Sequence, residues 1–271
     1  MYSVLWAKQV VWAATHAPSA AQKTTPLSNA GPHNFLPVVT PLVCDEWERA
    51  LRTVNLYNEF HDILTGINMD LSSSYTPANC RTALEHPNVI DEYIQTELAS
   101  HRYSGPFNLS RLKAIIGPIR SSPLGVVPKA GEPDKWRMVQ DFSFPYDDPE
   151  IVSINSTIDS DDFPCDWGTF SQMLLLVLDA PPGTQAATLD VDAAFRRVPI
   201  HPSQQWFFVV SWRDLCYIDH CAPFGPSSSP GIFGQIADAM PALLTSNHIS
   251  PLKKWVDDFC FFRYLQDSGD Y

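Results

Sequence analysis

Two adjacent carboxylates stand between apolar and aromatic residues in KKWVDDFCFF, residues 253–262. Taken alone, Asp257 and Asp258 would form an ordinary hairpin turn, since aspartate tolerates turn conformations. The flanking strands are too apolar for a surface ribbon, because they carry Trp255, Val256, Phe259, Phe261 and Phe262. Charges at the tip of a buried or cleft-lining hairpin need cations or hydrogen bonds.

A third carboxylate with similar surroundings occurs in TLDVDAAFRRVPI, residues 188–200. Asp190 ends a short apolar run, and Asp192 follows as a solvated turn or capping residue. Carboxylates from two strand ends can hold two Mg²⁺ ions ~3.5–4 Å apart, which clamp the attacking and leaving oxygens of a phosphoryl transfer. We therefore expect Asp190 and Asp257 to face one cleft, with Asp258 beside them.

The elements that must position these residues begin with a helical section. Apolar residues recur at helical spacing in residues 44–66 and again in residues 89–100. Two β-prone runs, residues 124–128 and 135–140, are separated by the turn-forming KAGEPD and predict an antiparallel hairpin with a charged tip. Residues 16–41 are rich in Pro, Ser, Thr and Ala and indicate a mobile leader or linker.

Further elements are predicted around the carboxylates. Residues 168–180 are typical of a buried helix, and residues 186–191 of a short buried strand. A second hairpin is predicted from residues 206–219. Residues 229–247 predict a helix that Pro241 kinks or ends early.

Composition limits the function classes. The 271 residues are 45% apolar, enough for a sizeable core. The net charge of −12 opposes a broad nucleic-acid-binding surface, so a nucleic-acid function requires local basic clusters. The six cysteines include no CxxC pair, which argues against a structural zinc site and fits reduced thiols. The spacing of Cys216, His220 and Cys221 also argues against zinc. The first residues lack a basic start and Lys8 interrupts them, so we expect an intracellular protein of the cytoplasm or nucleus that is not secreted.

Four segments in order resemble reverse transcriptases. The stretches LDVDAAFRRVPIHP, APFGPSSSPGIF and WVDDF resemble their three palm motifs, and SPLGVVPKAGEPDKWRMVQDFSFP resembles their fingers hairpin. The resemblance runs from about Tyr103 to Tyr264 and is closest to the polymerases of retrotransposons of the tyrosine-recombinase type. It implies an α+β right-hand polymerase with fingers and palm, in which an antiparallel palm sheet packs on helices.

The resemblance also implies a division of the chain. We expect a flexible leader at 1–41, a helical N-terminal section at 42–104, fingers at 105–165 and a palm at 166–271. The thumb is expected to be absent, because the residues stop soon after the hairpin that carries Asp257 and Asp258. The isolated chain is therefore expected to bind primer–template weakly and to extend it little.

By the same resemblance, Asp190, Asp257 and Asp258 are the catalytic and metal-binding residues. They would hold two ions of Mg²⁺, or Mn²⁺ in its place, for transfer of deoxynucleotides to a primer 3′-hydroxyl on an RNA template. Trp255 stands where the family usually has tyrosine, which leaves the packing against the primer end open.

The nucleotide-binding residues implied are Lys129 and Arg137 for the triphosphate, and Phe224 and Gly225 for the incoming base and template. Phe195 matches the aromatic gate that excludes a 2′-hydroxyl. Its alternative role is an ordinary core residue.

The resemblance assigns no definite role to the other basic residues near these motifs. Arg196 and Arg197 are either template or phosphate contacts or exposed helix residues, and Lys135 is expected to be solvated. The expected partners are deoxynucleoside triphosphates, an RNA or DNA template with its primer, and the thumb and RNase H segments of the same polyprotein. No membrane partner is expected, since no apolar stretch approaches ~20 residues.

Two alternatives stay open. The first takes residues 190–192 as the DxD metal site of a nucleotide-sugar transferase or a dehalogenase-like phosphatase; Ala194 stands where that phosphatase has threonine, and the transferase leaves WVDDF unexplained. The second is an inactive or incomplete polymerase-like fragment that serves only as a nucleic-acid or protein binding module.

Overall fold

The computed structural model describes residues 44–60 and 74–265. Its α-helices are α1 Cys44–Thr53, α2 Tyr57–Phe60, α3 Arg81–Glu85, α4 Pro87–Ala99, α5 Leu109–Ile116, α6 Phe170–Asp179 and α7 Ser229–Ser246. Its strands are β1 Tyr103–Asn108, β2 Leu124–Lys129, β3 Glu132–Gln140, β4 Gln185–Asp190, β5 Val209–Trp212, β6 Leu215–Asp219, β7 Leu252–Trp255 and β8 Asp258–Arg263. The predicted leader, residues 1–41, lies outside the described residues, as does residues 61–66 of the first predicted helix.

Short 3₁₀ helices complete the architecture at Asn155–Thr157, Ser160–Asp162, Ala194–Arg197 and Pro202–Phe207. The strands form three sheets with the orders β1-β6-β5, β2-β3 and β4-β8-β7, and every strand pair is antiparallel. Helices and antiparallel sheets mixed in this way confirm the predicted α+β class.

The N-terminal helices pack onto two different cores. Trp47 and Leu51 of α1 join the core around α7, whereas Ile90 and Ile94 of α4 join a second core with residues of β1, β2, β5 and β6. The ring of His86, just before α4, stacks on Trp136 of β3 with centroids 4.0 Å apart. Helix α4 and His86 therefore pack against the β2–β3 hairpin, whereas α1 packs against α7.

Several predicted elements are present. The hairpin at β2–β3 and the second hairpin at β5–β6 both form antiparallel pairs. Helix α7 begins with Pro230 in its first turn, as expected, but it does not end at Pro241. Buried residues on both sides of the proline, including Met240 and Leu244, hold the helix in place across it.

The predictions of burial for α6 and β4 were wrong. Helix α6 has no buried residue, and the side chain of Phe170 is 75% exposed. In β4, Leu189 is half-buried and the other residues are exposed. An apolar composition shows that a segment can be buried, but it does not show which element covers it. None of the helices in the described ranges is both long and apolar enough to span a membrane.

Candidate active site

Three aspartates lie at one end of the β4-β8-β7 sheet. Asp190, the last residue of β4, is directly opposite Asp258, the first residue of β8. The backbone N–H of Val191 donates to the carbonyl of Asp257 at 3.0 Å. The turn between β7 and β8 is tight, with Val256 at a φ of 54°. Asp258 therefore begins a strand, and Asp257 occupies the turn before it.

The charges of these aspartates act on one another. The pKa of Asp190 is raised by partial desolvation and then by the negative charges of Asp257, Asp258 and Asp192. Within residues 44–60 and 74–265, no ion pair joins a basic side chain to Asp190, Asp257 or Asp258. Nor does any set of three His, Cys, Asp or Glu residues in those ranges form a group that could hold a metal ion. As far as residues 44–60 and 74–265 go, this sheet end is an uncompensated patch of negative charge.

A buried lysine, Lys254, anchors the β7–β8 hairpin that carries Asp257 and Asp258. Lys254 of β7 pairs with Asp238 of α7 at 2.7 Å and also donates to the backbone carbonyl of Asp166. Gly168 lies so close to β7 that a Cβ there would be 2.2 Å from the carbonyl oxygen of Lys254. Strand β7, helix α7 and the turn before α6 are thus held together under the aspartates.

Trp255 lies on the α6 side of this hairpin. Its side chain is 53% exposed. With Thr169, Phe170 and Met173 it lines a groove of about 310 Å³. The aromatic residues that flank the aspartates therefore differ in exposure: Phe259 and Phe262 are buried, and Trp255 is exposed.

Two of the predicted nucleotide-binding residues contact each other. The rings of Phe195 and Phe224 are tilted, with centroids 4.8 Å apart. Phe195 is half-buried and also packs on Phe233 of α7 at 5.9 Å, while Phe224 is 56% exposed. Phe195 therefore has core contacts on one side and an exposed aromatic neighbour on the other.

Gly225 continues this loop onto the end of the β2–β3 hairpin. Its φ is +121°, and a Cβ there would be 2.7 Å from the carbonyl oxygen of Gln140 and 2.8 Å from the ring of Phe142. Asn155 donates to the Gly225 carbonyl at 3.0 Å and accepts from the backbone N–H of Ser227 at 2.9 Å. The sequence analysis missed Asn155, since it belongs to no motif there.

Lys129 and Arg137 are exposed on the hairpin itself. Arg137 is opposite Val127, and Lys129 is opposite Glu132 beyond an irregularity in the strand register. No ion pair of either side chain is present among the described residues. Lys135 is exposed as expected and pairs with Glu132. Neither Lys129 nor Arg137 contacts the aspartates within these ranges.

Arg196 is not an exposed helix residue, and the structure gives it no route to a phosphate. It is 2% exposed, and its guanidinium binds Glu97 at 2.7 Å and Asp219 at 2.8 Å. Arg197 is also mostly buried and pairs with Asp192 at 2.9 Å. The side chain of Asp192 is 81% exposed, in agreement with its prediction as a solvated turn residue.

The buried ionic network comprises Glu97, Arg102, Arg196 and Asp219. Arg102 donates twice to Glu97, at 2.7 and 2.8 Å. Burial acts to raise the pKa of Glu97, but the hydrogen bonds and charges of Arg102 and Arg196 outweigh it, so that pKa is lowered. Burial raises the pKa of Asp219 to about 6 against the opposing charge of Arg196. The network thus contains two cations and two carboxyl groups.

A weak signal for this network was present in the sequence. Glu97 follows Ile90 and Ile94 on the helix, at the position where their spacing predicts another buried residue. A carboxylate at such a position requires a buried cation or hydrogen-bond donors. Its arginine partner, Arg196, lies far away along the chain and was assigned to the surface.

Solved structures with a similar fold include prototype foamy virus protease–reverse transcriptase. A selenomethionine-labelled CSH mutant matches with a TM-score of 0.52 at 20% identity, over 81% of this chain and 27% of that chain. The native protein matches with a TM-score of 0.50 at 20% identity, over 84% and 28%. A foamy viral protease–reverse transcriptase in complex with an RNA/DNA hybrid matches with a TM-score of 0.50 at 16% identity, over 89% and 32%.

These comparisons establish the fold. No protein-family model matches the sequence, and no curated protein matches it. The chain spans about a third or less of each of the three solved chains. Identity of 20% or lower shows a shared architecture and does not by itself show a shared activity. The chain therefore has a reverse-transcriptase-like fold, with mixed helices and antiparallel sheets.

Proposed function

We propose that this chain supplies the fingers and palm of an RNA-directed DNA polymerase from a retrotransposon of the tyrosine-recombinase type. The observation that carries the proposal is the end of the β4-β8-β7 sheet, where Asp190, Asp257 and Asp258 meet without a basic partner in the described ranges. Carboxylates without a basic partner, two of which raise the pKa of Asp190 by their negative charge, form a site that favours cations. The reverse-transcriptase-like fold supports the same assignment.

The chemistry of these donors fits Mg²⁺ or Mn²⁺, because both ions prefer carboxylate oxygens. Asp190 and Asp257, with Asp258 beside them, would hold two such ions. The ions would supply Lewis-acid stabilisation of the phosphate oxygens of the incoming nucleotide. Since the described residues contain no ready group of three ligands, we expect cation binding to draw the carboxylates together.

The other residues would bind and orient the substrates. Lys129 and Arg137 project from an exposed hairpin without ion-pair partners in the described chain, so both are open to triphosphate oxygens, and the planar guanidinium suits bidentate binding. Phe195 and Phe224 would contact the sugar and base. An RNA template is supported by the neighbour solved with an RNA/DNA hybrid.

Primer extension tests the proposal. The chain is incubated at low salt with an RNA or DNA template, a primer, deoxynucleoside triphosphates and Mg²⁺, and single-nucleotide addition is measured. Asp257→Asn should abolish addition. Asp179→Asn, which neutralises an exposed carboxylate at the end of α6, is the control and should leave addition unchanged. Equal addition by Asp257→Asn and the unmodified chain would refute the proposal.

A binding module without catalysis is the second candidate. It is favoured by the absence of a ready metal-ligand group in the described part of the chain. Binding of an RNA/DNA hybrid that does not depend on Mg²⁺ and is unchanged in Asp257→Asn, together with no nucleotide addition, would favour this candidate over the polymerase.

A further inference from the structure

Arg196 lies in the protein interior, next to the segment that carries the Phe195 ring. It directly follows Phe195 in the 3₁₀ helix Ala194–Arg197, but its side chain is buried. The guanidinium donates through Nε and Nη2 to Glu97 and through Nη1 and Nη2 to Asp219. It therefore joins the segment after Asp190 to helix α4 and strand β6.

The same guanidinium also reaches the loop that carries the second ring. Its Nη1 donates to the carbonyl of Cys221 at 2.9 Å and to that of Ala222 at 3.3 Å. Phe224 follows two residues after Ala222. Arg196 thus binds the backbone on one side of the ring pair and is covalently adjacent to Phe195 on the other.

The backbone around Arg196 reinforces this link. The N–H of Ala222 donates to the carbonyl of Val198 at 2.8 Å, and the N–H of Ile200 donates to the carbonyl of His220 at 2.8 Å. The two segments therefore run side by side from the network toward the rings. With the guanidinium in place, Phe195 and Phe224 are held 4.8 Å apart.

Stability alone does not account for such a network. A buried ion pair is often no more stabilising than well-packed apolar residues of the same volume, because both charges lose their hydration. A guanidinium that binds two carboxylates and two carbonyls does, however, fix several segments in one geometry. The network is suited to setting a distance between elements.

We propose that Arg196 is a positioning residue that sets the spacing of Phe195 against Phe224, and through it the discrimination between deoxyribonucleotides and ribonucleotides. The proposal rests on the proposed polymerase function for its kinetic part only. The positioning itself is a property of the folded chain. A shift of the Phe195 ring by a fraction of its contact distance would open space for a 2′-hydroxyl.

The test compares Arg196→Lys with Arg120→Lys. Arg120 is a matched control, because it is also a buried arginine and is 3% exposed. Its Nη2 donates to the carbonyl of Val152, which belongs to neither of the segments that carry Phe195 and Phe224. Both changes keep the positive charge and remove the planar donor set. Glu97→Gln is a milder second variant, which keeps the side-chain shape and removes one of the two carboxylates around Arg196.

Two quantities are measured in each folded variant. The first is the ¹⁹F resonance of para-fluorophenylalanine placed at Phe224, which needs no activity. The second is the ratio of kcat/KM for a ribonucleotide to that for the matching deoxynucleotide. We expect Arg196→Lys to shift or broaden the resonance and to raise the ratio roughly tenfold or more, since small displacements at a reacting centre have large kinetic effects. Glu97→Gln should act in the same direction, and Arg120→Lys should leave both quantities unchanged.

An unchanged resonance in Arg196→Lys and Glu97→Gln would overturn the positioning role, whether or not the chain is active. Equal changes in Arg120→Lys would overturn it too, since they would reveal a general loss of stability. A shifted resonance with an unchanged nucleotide ratio in an active chain would overturn the discrimination role. A shifted resonance in a chain that adds no nucleotide would support the positioning role and count against the proposed polymerase function instead.

Discussion

The two ends of the segment 190–197 contact carboxylates in different environments, one near solvent and one buried. At its start, Asp190 meets Asp257 and Asp258 near solvent, and no basic side chain in the described chain pairs with them. At its end, Arg196 binds two buried carboxyl groups. The same functional group is therefore ion-paired within the fold in one place and lacks a basic partner among the described residues in the other.

The difference between the two regions is whether the carboxylates already have partners within the fold. A buried carboxylate that already has hydrogen bonds and a cation has little capacity left for a ligand. An unpaired group of carboxylates costs stability through repulsion, and a cation would relieve that cost. Removal of a carboxylate should therefore lower the unfolding free energy in the buried network and have little effect on it at the acidic end.

The largest expected effect is on stability, from Asp219→Ala. The change leaves Arg196 buried with half of its ionic partners, and breaking a buried pair in this way typically costs ~3–5 kcal/mol of unfolding free energy. Urea denaturation measures it. Asp258→Ala at the acidic end is the matched control and should change the unfolding free energy by no more than ~0.5 kcal/mol. A comparable loss in both variants would erase the distinction between the two regions.

The next largest effect is expected at Gly225, in the loop that carries Phe224 and contacts the end of β3. Gly225→Ala would place a Cβ 2.7 Å from the Gln140 carbonyl at a φ of +121°, and should destabilise the protein by up to ~3 kcal/mol. Gly131→Ala has a φ of +77° but no atom within 4 Å of the added Cβ, so it should cost only the backbone strain, ~1 kcal/mol. Thermal denaturation of both variants separates the steric part. Equal shifts in Tm would mean that the loop moves freely away from β3.

Acid should act on the buried side through His220. Burial, and then the charge of Arg196, lower its pKa to about 4, and its ring contacts Ser104 Oγ at 2.6 Å. The unfolded chain takes up this proton near pH 6.5 and the folded chain does so only near pH 4. Acidification from pH 7 to pH 5 therefore costs roughly 2 kcal/mol through this residue.

Asp219 opposes that effect. Its pKa is raised to about 6, so the folded chain takes up its proton before the unfolded chain does, and this favours folding as the pH falls below 6. The two contributions partly cancel in the unmodified protein. His220→Gln removes the first, so the variant should gain stability between pH 7 and pH 5 relative to the unmodified chain. Parallel pH dependence of the two unfolding free energies would contradict the assignment.

The smallest effect is expected on the exposed helix α6. Leu175→Gln keeps a helix-forming residue at an exposed position and should change the unfolding free energy by less than ~0.5 kcal/mol. Ile94→Ala, on the apolar face of α4, should cost ~2–5 kcal/mol. Chemical denaturation of both variants gives the comparison. A cost above ~1 kcal/mol for Leu175→Gln would show that α6 is covered in solution.

The sequence predicted the hairpins because local patterns determine them, and it predicted the neighbouring aspartates because each stands at the end of an apolar strand. Turn residues between β-prone runs specify β2–β3, and strand ends bring Asp190 opposite Asp258. The exposure of α6 was not predictable, since apolar spacing carries no information about the covering element. Nor was the burial of Arg196, because its partners Glu97 and Asp219 come together only through tertiary contacts between distant segments.

The most direct test of the central claim is metal-dependent nucleotide binding at the acidic end. A deoxynucleoside triphosphate is titrated into the chain with Mg²⁺ or with a chelator, and Asp257→Asn is compared with Asp179→Asn. We expect binding that requires Mg²⁺, is lost in Asp257→Asn and persists in Asp179→Asn. Binding that is indifferent to Mg²⁺, or equal in both variants, would contradict the claim that Asp190, Asp257 and Asp258 form a cation-dependent catalytic site.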